Sequence, residues 1–121
     1  MENIAWIHKI LEVLDEFASE EFQERVWRRG LGPEVSSYEE AMCRLFDDLR
    51  FSDLIDVEGR QIGLSEKALL ALTNFRETIL KFDKKISEIP RPEEVMDHPA
   101  WQSIRKAASR VECVLNGEEL E

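Results

Sequence analysis

Apolar residues recur every three or four positions along most of this chain, which is the spacing that lines one face of an α-helix. Glycines and prolines separate the stretches in which this spacing holds. Helical stripes of this kind occupy residues 4–18, 22–27, 41–49, 69–86 and 101–115. The pattern predicts an all-α fold, an irregular bundle of about five helices. A length of 121 residues fits a single helical domain over residues 1–121.

Serines stand where most of these helices are expected to begin. Ser19 and Ser65 each precede an apolar stripe, and a serine side chain can accept a hydrogen bond from a free amide in the first turn. Two overlapping Ser-x-x-Glu capping boxes precede the third stripe: Ser36 with Glu39, and Ser37 with Glu40. These positions predict where three of the helices start.

The segment 51–64 departs from the helical spacing. It contains Gly59 and Gly63, and apolar residues lie on either side of the first glycine. Such a stretch is typical of a turn between short extended pieces. We therefore expect an extended excursion, or a short hairpin around Glu58-Gly59, that closes over the core.

The chain carries a large excess of acid. It contains 26 Asp and Glu against 16 Lys and Arg, a formal net charge of −10. Nucleic acids and anionic lipid surfaces attract proteins through a cationic footprint, so the charge argues against both as partners. It predicts instead a basic protein partner, with no membrane contact.

Two further features bear on the compartment. The first residues lack the basic start and apolar run of a secretory signal, and no stretch approaches the roughly 20 apolar residues of a membrane span. The two cysteines, Cys43 and Cys113, belong to no CxxC motif and lie in helical stretches. We expect a cytoplasmic protein whose thiols are reduced and buried.

The acid excess is concentrated in two segments. Residues 2–24 contain seven acids and one lysine, and residues 34–58 contain eight acids and two arginines. Arg44 lies four residues after Glu40 and three before Asp47, so we expect it to pair with them along the helix. The acids expected to bind a partner are Glu39, Glu40, Asp47, Asp53, Asp56 and Glu58. The alternative is a solvated helix face; the three acids of the adjoining loop, most of which we expect to remain unpaired, favour docking.

Four other residues are expected to have structural roles. Asp48 falls at the edge of an apolar stripe, where a carboxylate needs partners, and we expect it to accept hydrogen bonds from loop amides or an indole N–H. Trp27 and Trp101 are expected in the core, whereas Trp6 lies off its stripe and should be partly exposed. His98, just before a helix, is expected in a turn or capping role.

No arrangement of residues typical of catalysis is present. The sequence contains no Gly-x-Ser-x-Gly elbow and no glycine-rich phosphate loop, and Asp97-His98 is not completed by further metal ligands at a suitable spacing. General acid–base chemistry needs a second group beside a candidate carboxylate, and none is apparent for Asp48. We expect no enzymatic activity, no metal and no cofactor.

Four short stretches, in order and at similar spacing, resemble a family of small uncharacterised bacterial proteins. They are Trp27-Arg28-Arg29-Gly30, Leu45-Phe46-Asp47-Asp48, Ile62-Gly63-Leu64 and Asp97-His98-Pro99-Ala100-Trp101. The similarity covers about residues 22–115, and its most specific parts are the Phe-Asp-Asp stretch and the His-Pro-x-Trp stretch. Leu49 stands where that family is expected to have a small polar residue.

In size, acidity and helical make-up the chain also resembles the immunity proteins of contact-dependent growth inhibition. Those are small cytosolic proteins that bind and block a toxin, often a basic nuclease. The resemblance implies an immunity or antitoxin-like protein that occludes a basic toxin domain with its acids. The alternative is a small adaptor or self-associating housekeeping protein of the uncharacterised bacterial family, without catalysis.

Overall fold

The computed structural model describes residues 2–118, and this part of the chain forms seven helices and no strand. The regular helices are α1 (Glu2–Ala18), α5 (Glu66–Asp83), α6 (Pro92–Met96) and α7 (Trp101–Asn116). Three more change to π-helical winding: α2 (20–28) at Gln23–Arg28, α3 (38–48) at Arg44–Asp48, and α4 (51–61) at Leu54–Glu58. The all-α prediction is confirmed, with more helices than the five or so expected.

Three serines cap helices as predicted. The Oγ atoms of Ser19, Ser37 and Ser65 accept hydrogen bonds, each 3.1 Å long, from backbone amides three residues later. Each of these serines has an extended backbone, as a cap requires. Of the two overlapping capping boxes, the Ser37 box therefore provides the cap of α3.

The expected extended excursion over residues 51–64 is wrong, because most of it is the helix α4. Phe51 and Leu54 lie three positions apart and are both fully buried, so the apolar residues face the core at helical spacing. The chain turns only at Gly63, whose φ of +95° is a conformation that favours glycine.

Gly59 does not form the expected turn, because its role is to allow close packing between helices. A Cβ atom added there would lie 2.5 Å from the carbonyl oxygen of Leu54 and 2.8 Å from a methyl carbon of Leu69. The glycine therefore lets α4 approach α5 more closely than any other residue would permit. A glycine inside a helix at a crowded crossing cannot be distinguished by residue type alone from one in a turn.

One continuous core contains an aromatic cluster contributed by α1, α2, α3, α5 and α7. Trp101 is fully buried, and its ring centroid lies 5.8 Å from those of both Trp27 and Tyr38 and 5.3 Å from that of Phe82. Phe17 joins the same cluster, with its centroid 6.3 Å from that of Trp27. The predicted core positions of both tryptophans are confirmed.

A fully buried glutamine connects three helices beside this cluster. The Gln23 side-chain amide donates to the carbonyl oxygens of Glu16 and Phe17, both at 2.8 Å, near the end of α1. Its carbonyl oxygen accepts from the Trp101 indole at 2.9 Å and from Arg105 Nε at 3.0 Å. A buried amide is stable only when its donors and acceptors are paired, and here they hold α1, α2 and α7 together.

Both thiols lie on the surface, which corrects the expectation that they are buried. Cys43 and Cys113 are exposed. Cys43 lies two residues after the buried Ala41 and two before the buried Leu45, which places it away from the core-facing stripe of α3. Within residues 2–118, no helix has the length and apolar character needed to span a membrane.

Candidate functional site

The solvent-facing side of α3 carries four carboxylates, and we call this surface the α3 acidic face. Its members are Glu39, Glu40, Asp47 and Asp48, with Cys43 among them. Glu39 is half-buried and the other three are exposed. Within residues 2–118 none of the four side chains has an ion-pair partner. Helical spacing therefore brings together acids whose charge is left without a paired cation.

The arginine expected to neutralise this face points the other way. Arg44 was predicted to pair with Glu40 and Asp47, but its Nη2 lies 2.5 Å from Glu16 Oε1 on α1. It also donates to Ser36 Oγ at 3.2 Å. The pairing along the helix is therefore wrong, and the cation is taken inward from the α3 acidic face.

Glu16 attracts Arg44 because it is a nearly buried carboxylate. Only 7% of its side chain is exposed, and a charge in that position is stable only with several hydrogen-bond donors. The Trp27 indole donates to Oε2 at 2.8 Å, and the Ser36 hydroxyl donates to the same oxygen. A carboxylate with little water around it competes for a cation more strongly than one in solvent.

The sequence carries a signal for this buried ion pair. Glu16 lies beside the buried Phe17 and three residues after the buried Val13. An acid at the edge of an apolar stripe indicates a paired carboxylate, and this holds for Glu16 but not for Asp48.

The electrostatic effect of the α3 acidic face is evident at Cys43. The pKa of the Cys43 thiol is raised above its ordinary value, first by partial loss of hydration and then by the negative charge of Asp47 and Glu40. Asp48 and Glu39 contribute in the same direction. Negative charge disfavours the thiolate, so the four carboxylates act on the thiol in the same direction as the loss of hydration.

The acids of α4 are in a different situation, although they were expected to be the unpaired ones. Asp53 lies 3.5 Å from Arg50, and Asp56 lies 3.0 Å from Arg76 on α5. The hydrogen bond from Arg76 lowers the pKa of Asp56 below its usual value. Glu58 is half-buried and has no ion-pair partner within residues 2–118. The expectation of an unpaired acidic loop is therefore wrong for two of its three members.

Asp48 does not have the structural role expected of it. Its side chain is exposed, and within residues 2–118 it accepts no hydrogen bond. The nearby indole of Trp6 donates instead to the backbone oxygen of Leu49, at 2.6 Å. The end of a helix leaves carbonyl groups unpaired, so the indole meets that need and the carboxylate stays in water. Trp6 itself is partly exposed, as predicted.

Lys9 of α1 lies close to one end of the acidic face. A groove of about 250 Å³ between α1 and α3 is lined by Lys9, Glu12, Val13, Arg44, Asp48 and Leu49. Lys9 and Arg44 therefore both lie on the same groove as Asp48, and their positive charge reduces the contribution of Asp48. The other three acids of the face, Glu39, Glu40 and Asp47, do not line this groove.

His98 has the turn-stabilising role expected of it. Its Nδ1 accepts a hydrogen bond from the amide of Ala100 at 3.0 Å, and its ring lies edge-on to Phe82 with centroids 5.0 Å apart. The neighbouring Asp97 pairs with Arg28 at 2.8 Å. Within residues 2–118, no three His, Cys, Asp or Glu side chains are grouped so that they could hold a metal ion.

Comparison with known proteins adds no relative. No protein family, no curated protein and no solved structure matches this chain. The resemblances to a small bacterial family and to immunity proteins therefore stay predictions.

Proposed function

We propose that this protein is an immunity or antitoxin-like protein that binds a basic toxin domain and covers its positively charged surface. The observation that supports the proposal is the α3 acidic face, from which Arg44 is withdrawn. A toxin that acts on nucleic acid needs a cationic groove, and clustered carboxylates are the natural complement of such a groove. The proposed inhibition is stoichiometric: one molecule of this protein blocks one toxin domain by binding it, without any catalytic step.

The geometry of the face suits rapid capture. Glu39, Glu40 and Asp47 are held on one helix, so their charges act together on an approaching cation. Exposed like charges on a rigid element raise the rate at which an oppositely charged protein meets the surface in the right orientation. This steering weakens with added salt, since the Debye length is about 10 Å at 0.1 M.

The acids of α4 have a smaller part in the proposed contact. Asp53 and Asp56 would have to leave Arg50 and Arg76, or carry those arginines into the interface. Glu58 remains available at the end of the π-helical stretch. In the proposed complex, most of the partner-binding acids therefore lie on α3, and those of α4 contribute less.

The direct test measures binding to the product of the gene adjacent to the one that encodes this chain. Stopped-flow association is followed at low and at physiological salt. The variant Glu39→Lys, Glu40→Lys, Asp47→Lys should lower the association rate constant by about tenfold or more at low salt. A matched control, Glu77→Lys, Glu88→Lys, Glu93→Lys, makes the same change in net charge at exposed acids elsewhere.

The control separates the acidic face from total charge. Equal loss of rate in the two triple variants would mean that only net charge matters, and would overturn the assignment to α3. Absence of binding to any adjacent gene product would overturn the proposed function. Thermal melts of both variants verify that each is folded.

A self-associating or adaptor role is the second candidate, and one observation favours it. Lys67, Leu70 and Arg110 line a groove of about 350 Å³ between α5 and α7, with Leu70 71% exposed. This basic groove is complementary to the α3 acidic face of another copy. The net charge of −10 opposes such pairing, since two copies repel each other at long range. Sedimentation velocity at rising concentration and low salt distinguishes the two roles.

A further inference from the structure

The loop between α2 and α3 presents two aliphatic side chains to solvent. Val35 is 94% exposed and Leu31 is 52% exposed. Neither side chain belongs to the core, so the packing of the helices does not explain them. Single exposed apolar residues are ordinary on protein surfaces, but these two lie on a loop that is held in place by charged side chains.

Arg25 of α2 supports the middle of this loop. Its Nη1 lies 2.8 Å from Glu34 Oε1 and its Nη2 lies 3.2 Å from Glu34 Oε2, the two-point geometry that orients a carboxylate. The same Nη1 donates to the backbone oxygen of Leu31 at 3.3 Å. One guanidinium therefore holds the backbone at Leu31 and the residue before Val35.

Gly32 allows Arg25 to reach that position. Its φ is +94°, and a Cβ atom there would lie 2.6 Å from Arg25 Nη1. A side chain at this position would both strain the backbone and displace the guanidinium. The loop is thus built around the arginine.

The far end of the loop is held as well. Ser36 donates to Glu16, and Ser37 caps α3. Val35 is therefore presented by a segment that is fixed on both sides. Fixing a loop before binding reduces the conformational entropy that association has to remove.

A shallow cavity joins Val35 to the α3 acidic face. It measures about 300 Å³ and is lined by Val35, Ser36, Ser37 and Glu40. Glu40 belongs to the acidic face, so apolar and acidic surface meet within one concavity. Among the residues that the structure describes, the four that line it include no cation, and Arg44, which contacts Ser36 Oγ at 3.2 Å, is paired with Glu16.

We infer that Val35 is the apolar anchor of the docking surface, and that its occupant is a lysine- or arginine-rich protein segment carrying one apolar side chain. That side chain enters the cavity between Val35 and Glu40, while its basic neighbours meet Glu39, Glu40 and Asp47. The inference rests on the proposed function and names the chemistry of the segment that this site takes. Charge complementarity selects a basic occupant, and the net charge of −10 disfavours a second copy.

The two parts of the surface act on different steps of binding. The acids steer a basic segment towards the surface, and this contribution falls with salt. The contact with Val35 forms only after docking and excludes water, so it slows dissociation and depends little on salt.

The test uses two synthetic peptides, each with three lysines on either side of one central residue. The central residue is leucine in one peptide and serine in the other. Binding is followed by ¹⁵N–¹H NMR titration at constant salt. The leucine peptide should bind about tenfold more tightly, the ratio expected for burying most of one aliphatic side chain. Its largest amide shifts should fall in residues 34–40.

Val35→Ser should abolish that preference while leaving the serine peptide unaffected. Leu70→Ser is the matched control, since it removes another exposed aliphatic residue, beside Lys67 and Arg110. Because Val35 is almost fully exposed, its replacement leaves the fold intact, which a thermal melt verifies.

The outcomes separate this inference from the proposed function. If both peptides bind the α3 acidic face equally well, the apolar anchor is wrong and the acidic docking face stands. If neither peptide binds that face, the acidic docking surface on which both proposals rely fails too. In the absence of peptide, concentration-dependent shifts around residues 67–74, or concentration-dependent line broadening, would identify a second copy as the occupant and overturn the inference.

Discussion

Helices α3 and α4 follow one another and both carry exposed acids, yet their electrostatic character differs. On α4, Asp53 and Asp56 each have an arginine within 3.5 Å. On α3, the nearest arginine in the sequence turns inward to Glu16. The positions taken by the arginines, more than the number of acids, determine where negative potential remains on this surface.

The joint between the two helices contributes to the contrast. Arg50 lies there with a φ of 50°, and its guanidinium lies 5.6 Å from the ring centroid of Trp6. From that position it also reaches Asp53 on α4. Arg50, at the junction, thus contacts Asp53 of α4 and the ring of Trp6, and it forms no ion pair with the acids of α3 within residues 2–118.

The strongest test of the comparison removes the carboxylate that draws Arg44 inward. Glu16→Ala leaves the guanidinium, the Trp27 indole and the Ser36 hydroxyl without their shared acceptor. We expect the free energy of unfolding to fall by about 3 kcal/mol. Urea denaturation measures this change.

Glu20→Ala is the control for that substitution, since Glu20 is exposed and lies 3.4 Å from Arg105. It should be nearly neutral, because exposed ion pairs contribute little. Equal effects of the two substitutions would show that Glu16 is not the buried centre of the network. In the Glu16→Ala variant Arg44 is free to pair with Glu40 or Asp47, so association with a basic partner should also slow.

A second test concerns two neighbouring acids, Asp15 and Glu112, neither of which has an ion-pair partner within residues 2–118. Loss of hydration, followed by the charge of Asp15 and its hydrogen bond, raises the pKa of Glu112 on α7 from 4.5 to about 7. The folded protein therefore holds this proton more tightly than the unfolded chain does. The associated stability is complete below about pH 4.5 and is lost as the pH rises through 7.

Glu112→Gln removes this titration. Relative to the parent protein, the variant should gain stability between pH 5 and pH 8, as read from urea midpoints at the two pH values. Glu77→Gln, at an exposed position on α5, should track the parent at both. A parent and a Glu112→Gln variant whose stabilities change in parallel with pH would contradict the raised pKa of Glu112.

A third test compares one acid from each helix directly. Asp56→Asn breaks the pair with Arg76 and should lower the melting temperature slightly. Asp47→Asn removes repulsion from its neighbours on α3 and should leave the melting temperature unchanged or raise it. Differential scanning calorimetry at low salt measures both, and the difference should shrink in 1 M salt. A higher melting temperature for Asp56→Asn together with a lower one for Asp47→Asn would reverse the comparison.

The mildest test uses Cys43 as a reporter of potential. In a Cys113→Ser background, alkylation by the uncharged reagent iodoacetamide at pH 8 follows the thiolate fraction of Cys43. Asp47→Asn should speed the reaction a few-fold, because it removes one of the charges that raise the pKa of the thiol. Asp53→Asn is the α4 control and should have no effect. Equal rates in all three proteins would remove the support that Cys43 gives to the acidic face.

The helical stripes and three caps could be predicted because they depend on neighbours in the chain. Ser19, Ser37 and Ser65 act on amides three residues away, and such local hydrogen bonds are visible in the order of residues. The segment around Gly59 could not be predicted in the same way. Its conformation is decided by Leu69 on another helix, a contact that no local spacing contains.

The location of the acidic surface could be predicted from the sequence, but which of its acids are paired with arginines could not. Glu39, Glu40 and Asp47 form one face because they share a helix. The direction of Arg44 depends on Glu16, which is 28 residues away in the chain. An arginine can reach an acid on its own helix or one on a neighbouring helix. Here the more buried acceptor, Glu16, takes the arginine.

The close approach at Gly59 has an evolutionary consequence. Any larger residue there would separate α4 from α5, so homologous chains should keep this glycine whatever they bind. The acids of α3 support no packing, and homologues serving different partners are free to exchange them. Homologues would then share Gly59 as a mark of common descent. They would differ on the outer side of α3, where the specificity for a partner would lie.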